Sequence, residues 1–284
     1  MGIIIAAAIT TLLAILAFGY LVYRLCTPAD WRVALAAAAV ALPLQPLVFY
    51  AVRLPLHALL QSALGPGIAL NMISLFYAPL TEEPAKWLVL LVPWIRRVLR
   101  PDNAVAFALA TGLGFGIGEI WFLAEQLTRV PQFAAAPFYM FGGFLSERLL
   151  VVFVHGATVA FAFKWLADGR SFALGALLGV VLHFLINFPI FLMSIDPIGV
   201  GRDAWSAAIQ IYLIAFVIAL GAAVNRMTRG RLSESVLGSA TCPECGSRYP
   251  RSLLGLNFVT VRYERCPNCR HWHWVPMKQP AREG

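Results

Sequence analysis

Several ionisable side chains of this chain fall inside apolar stretches, at spacings that suit hydrolytic chemistry. Glu82 and Glu83 stand side by side, and Lys86 follows one helical turn later. On a helix either carboxylate can meet that ammonium on one face. One carboxylate is then neutralised, and the other stays free for general-base proton transfer. His183 and Asn187 are likewise one turn apart and bring an imidazole and an amide to one point, as an oxyanion hole requires. Glu119 lies in another apolar segment. Arg148 and His155 share a further one, two turns apart on a common face. An ionisable group in hydrocarbon needs a partner or a function. The bland reading of each residue is a polar contact between helices, but packing alone gives little reason for four segments to carry inward polar groups.

Gly112, Gly114, Gly116 and Gly118 precede Glu119. They do not form a nucleotide loop, because no strand precedes them. Gly112/Gly116 and Gly114/Gly118 read as small-xxx-small pairs that let helices approach closely.

A second chemistry stands near the C-terminus. Cys242-Pro-Glu-Cys245 and Cys266-Pro-Asn-Cys269 are two CxxC turns with 20 residues between them. Thiolates at this spacing close a tetrahedral structural zinc site. The stretch Asn257–Tyr263 alternates like a strand, so the module resembles a zinc ribbon. Two disulfides are the alternative, and they need an oxidising compartment. His271 and His273 could replace a cysteine, but with four thiols available they read as surface residues. Cys26, at a segment end, reads as an ordinary buried thiol.

The elements that position these residues are membrane spans. The chain is 60% hydrophobic and 13% charged, with a mean hydropathy of +0.75. Soluble domains carry about 25% charge. Seven apolar segments run roughly over 3–23, 33–52, 68–95, 103–124, 146–166, 171–193 and 204–224, each near the ~20 residues that cross a bilayer as a helix. The fold class is therefore an all-α polytopic membrane protein of about seven transmembrane helices with a small β zinc ribbon. A weaker stretch, 55–65, reads as interfacial or re-entrant, and the aromatic loop 125–145 as partly re-entrant. The first segment lacks a basic flank and is long enough to span, unlike a signal peptide. The expected organisation is a core over 1–225, a linker over 226–239, the ribbon over 240–276 and a tail over 277–284.

Lys and Arg set the orientation. Arg24, Arg32, Arg96, Arg97, Arg100, Lys164, Arg170, Arg226, Arg229 and Arg231 fall on one alternate set of loops, and only Arg53, Arg129 and Arg202 on the other. The richer set is cytoplasmic, which puts the N-terminus outside and the C-terminus inside. The net charge of +8 then reflects this bias, and no nucleic acid partner is expected.

Glu82-Glu83-Pro-Ala-Lys86 matches an EExxK motif, Phe115-Gly-Ile-Gly-Glu119 matches FxxxE, and His183-Phe-Leu-Ile-Asn187 matches HxxxN. In this order on successive membrane segments they resemble the PrsW family of intramembrane proteases, over roughly residues 65–195. The wider superfamily includes CAAX prenyl endopeptidases and bacteriocin-processing relatives. The resemblance implies a helical fold in a bacterial plasma membrane and cleavage of single-pass or membrane-anchored proteins. Carried over by position, it implies that Glu82 or Glu83 activates water, Glu119 holds or protonates the reacting groups, and His183 and Asn187 stabilise the oxyanion. Lys86 and His155 complete the expected site. CAAX endopeptidases usually show EExxxR and FxxxH. Lys86 and Glu119 stand here instead, which argues against prenylated substrates.

Two other functions stay open. A metalloprotease would use Glu82, Glu83, Glu119, His155 and His183 as ligands, although no HExxH is present. A non-catalytic scaffold or transporter would use the ribbon to dock a cytosolic partner, although a transporter often carries internal repeats and none is evident. The expected cofactor is structural zinc in the ribbon, with no metal at the membrane site.

Overall fold

The computed structural model of the chain describes residues 1–195 and 199–277, so the expected tail lies outside the described residues apart from Met277. Two compact units emerge, Met1–Gly221 and Ala222–Gly284. The first is helical. Helix α1 spans Gly2–Leu25 and α2 spans Pro28–Leu64. Three short pieces follow: α3 (Ile68–Ser74), α4 (Tyr77–Trp87) and α5 (Pro93–Val98). Long helices resume with α6 (Ala104–Thr128), α7 (Gly142–Ala167), α8 (Phe172–Ile195) and α9 (Arg202–Met227). Among the described residues, six helices are long and apolar enough to cross a membrane. Their outward faces are apolar: Leu12 and Leu16 on α1 and Ile211, Ile214 and Ile218 on α9 are exposed. Such a surface suits hydrocarbon, where backbone groups must be satisfied internally and side chains need not be polar.

Two expectations about segments are corrected. Residues 55–65 are not a separate stretch, because α2 runs on through Leu64. It passes Pro46 and Pro55 by way of a π-helical turn at Phe49–Arg53, where the looser ladder tolerates a missing N–H. The third expected span, 68–95, is not one helix. Leu88–Leu91 tightens into a 3-10 turn, and Val92 is extended at ψ 109°, the conformation imposed by Pro93.

The broken segment still makes a crossing. Thr27 caps α2, accepting from the Asp30 N–H at 3.3 Å, with Pro28 placed where no N–H is needed. Arg100 donates to both Asp30 oxygens at 3.2 and 3.0 Å, and Asn103 donates at 3.1 Å. The starts of α2 and α6 therefore lie at one end of the unit. Since α2 leaves that end, the chain returns to it through 68–98. The opposite end is closed by the aromatic loop. Phe141 is buried with Ile3, Ala6 and Ala7 of α1.

Helix α6 is the central element. A Cβ built on Gly112 would stand 2.1 Å from the Gly156 nitrogen of α7, and one on Gly116 would meet Val152 at 2.7 Å. On Gly114 and Gly118 it would meet the Ala38 and Leu42 carbonyls of α2 at 1.9 and 2.0 Å. The two glycine pairs thus serve two different neighbours. Gly112→Ala should lower stability by about 1–3 kcal/mol, the usual range for overpacking. Thermal unfolding in detergent measures it, and an unchanged midpoint would mean that α6 and α7 are not in backbone contact.

The second unit holds α10 (Arg231–Leu237) in what reads as linker, then β1 (Ser239–Thr241), β2 (Arg248–Pro250), β3 (Leu256–Phe258), β4 (Val261–Arg265) and β5 (Trp272–Pro276). Strands β1 and β2 pair antiparallel, as do β3–β4 and β4–β5. The stretch Asn257–Tyr263 is therefore not one strand but a hairpin turning at Val259-Thr260. Its β-branched turn residues hide the reversal that Gly or Asn would announce.

Candidate active site and cysteine cluster

Helix α4 carries Glu82, Glu83 and Lys86 into the unit, where all three are buried. The Lys86 ammonium donates to Glu83 Oε1 at 2.6 Å, and both side chains are 0% exposed. The same oxygen accepts from Thr158 Oγ1 at 3.0 Å and from His183 Nδ1 at 2.7 Å. Glu83 is thereby the hub between α4, α7 and α8, and its other oxygen is buried without a partner. Gly179 permits this junction, since a Cβ there would press on the Thr158 carbonyl at 2.8 Å.

Proton positions follow from the partners. An ammonium only donates, so His155 Nδ1, 3.1 Å from Lys86 Nζ, accepts. The His155 proton then sits on Nε2, which donates to Glu119 Oε2 at 2.9 Å. Arg148 reaches the other Glu119 oxygen at 3.0 Å. A carboxylate only accepts, so His183 donates from Nδ1 to Glu83. In the neutral ring His183 Nε2 keeps a lone pair, and it faces Glu82 Oε2 at 3.8 Å.

Glu82 is not left free by the Lys86 pairing. Its Oε1 accepts from Arg53 Nη1 at 2.6 Å. Sequence reasoning placed Arg53 among the loop charges. It follows an apolar run and ends the π-helical turn, and the continuation of α2 past it brings it to α4. The partner hydroxyl Thr158 was also missed, since a threonine in an apolar helix carries no signal of its own. Asn187, one turn beyond His183, is half-buried, and its side chain has no hydrogen-bond partner among the described residues.

Donor atoms of Glu82, His155 and His183 lie within 4.8 Å of one another, a spacing to test against a metal. The donor set falls short. His155 has its lone pair committed to Lys86 and its proton to Glu119, which leaves Glu82 Oε2 and His183 Nε2. A catalytic zinc takes three protein ligands. As paired here, Glu82, His155 and His183 do not by themselves make a complete zinc site.

The cysteines do. Cys242 and Cys269 sulfurs are 3.7 Å apart, and Cys245 and Cys266 sulfurs 3.8 Å, far beyond a disulfide bond. Tetrahedral zinc with Zn–S bonds of about 2.3 Å sets its sulfurs about 3.8 Å apart. Hydrogen bonds from Ser247, first its side chain and then its backbone, bring the Cys245 thiol down to about 5, which favours the thiolate that a metal takes.

A family model described as PrsW family intramembrane metalloprotease matches residues 28–223. No curated protein and no solved structure matches the chain.

Proposed function

We propose, from the premise that this chain belongs to the PrsW family of intramembrane metalloproteases, that it cleaves membrane-anchored proteins with water activated by Glu82. The supporting observation is the 3.8 Å gap between Glu82 Oε2 and His183 Nε2. Neither atom has another partner among the described residues, and the span is too long for a direct hydrogen bond but suits a bridging water. Both atoms accept, so such a water gives both its hydrogens to them and keeps its lone pairs free for a scissile carbonyl.

Each neighbour then has a role. Glu82 takes the proton as the water attacks, and returns it to the leaving amide nitrogen. Arg53 holds Glu82 Oε1 and so points Oε2 at the water. Glu83 fixes the His183 tautomer, and Lys86 neutralises Glu83. His155, Glu119 and Arg148 hold Lys86 in place. Asn187, half-buried one turn beyond His183 and without a partner among the described residues, is the oxyanion donor. His183 is assigned to holding the water through Nε2. The substrate is a single-pass or membrane-anchored protein. Zinc sits in the cysteine ribbon, which docks a cytosolic partner. The N-terminus is outside and the C-terminus is cytoplasmic.

Membrane proteomics of cells with wild type or Glu82→Gln tests this reading. One uncleaved single-pass protein is expected to accumulate with the variant. Metal chemistry is separated by a chain ending at Met227, which loses the ribbon and keeps the membrane residues. It should carry no stoichiometric metal, and a chelator should not slow it. Retention of one metal per chain, released by His183→Ala, would assign the site to a metal instead.

A further inference from the structure

The ribbon carries a second constellation that its cysteine site does not absorb. His271 immediately precedes β5 and His273 is its second residue, and their rings lie on one side with centroids 6.2 Å apart. Opposite them stands Glu244, between the two cysteines of the first CxxC turn. His271 Nδ1 is 2.6 Å from Glu244 Oε2, and His273 Nε2 is 3.5 Å from the same oxygen. His273 Nε2 also lies 3.6 Å from Cys269 Sγ. Donor atoms of Glu244, Cys269, His271 and His273 all fall within 4.8 Å of one another.

We propose that Glu244, His271 and His273 form a second, exchangeable zinc site, joined to the cysteine site by Cys269 as a bridging thiolate. The chemistry of the donors suits the ion, since imidazole, carboxylate and thiolate are its three protein ligand types. Two imidazoles and a carboxylate also leave a fourth position for the shared sulfur. Exposure separates the two sites. Cys242 and Cys266 anchor the first site from buried positions, with Cys269 half-buried and Cys245 exposed, whereas in the second His271 is 67% exposed, Glu244 52% and only His273, at 15%, is sheltered. Exposed side chains can adjust by the fraction of an ångström that ligation needs, and they release the ion as readily. The first metal is then held by the fold, and the second follows the free zinc around the protein.

The test is zinc content of the full-length protein in detergent, equilibrated against buffers of rising free Zn2+. Wild type is expected to take up two ions per chain, one of which a mild chelator removes. The double variant His271→Ala, His273→Ala should hold one, at every free-zinc level. Cobalt substitution checks that its cysteine site is intact, because four-thiolate Co2+ gives an intense charge-transfer band in both proteins. Saturation of wild type at one ion would overturn the proposal. So would a second ion that survives the double variant and is lost with His183→Ala, since it would then reside in the membrane.

Discussion

Glu82→Gln is expected to slow cleavage about a hundredfold to ten-thousandfold, the range for loss of a general base. Glutamine keeps the length of the side chain, and its carbonyl can still accept from Arg53, 2.6 Å away. What disappears is the ability to take a proton from water. The protein should still insert and accumulate, because the change is neutral in size and Arg53, 23% exposed, keeps a hydrogen-bond acceptor and partial access to solvent. Cleavage of the accumulating substrate by purified protein in detergent measures the effect. A full rate in Glu82→Gln beside an inert, well-folded Glu83→Gln would move the base to Glu83.

The other large effect falls on stability. Lys86→Met strands the Glu83 carboxylate, which is 0% exposed. Removing one partner of a buried ion pair costs about 3–5 kcal/mol, because the remaining charge is left uncompensated. Adding Glu83→Gln to Lys86→Met should restore most of that loss, since neutral groups of similar volume can replace a buried pair. Thermal unfolding of the two single variants and the double variant in detergent reads the coupling. Strictly additive losses would show that the two residues do not meet.

Much of this arrangement was legible because helical spacing is geometry. The turn from Glu83 to Lys86 became an ion pair, and the two turns from Arg148 to His155 put both on Glu119. The glycine pairs announced close helix approach, and the cysteine spacing announced a cluster of four sulfurs. What stayed hidden depended on how the chain bends. Arg53 reads as a loop charge until α2 is seen to continue past it. The break at Leu88–Leu91 is masked by four consecutive apolar residues, although Pro93 marks its end. The His155 tautomer needs three helices in place before it can be deduced, so no motif contains it.

That break has a further consequence. Hydrolysis uses up one water per bond cut, and hydrocarbon holds almost none. Where a helix in the membrane stops and restarts, carbonyls and N–H groups lose their in-line partners. They are tolerated only against protein or beside a wet cavity. The interruption between α4 and α5 lies one turn from Lys86. On the proposed mechanism, the same irregularity that makes 68–98 a poor span is the place where the second reactant is expected to enter.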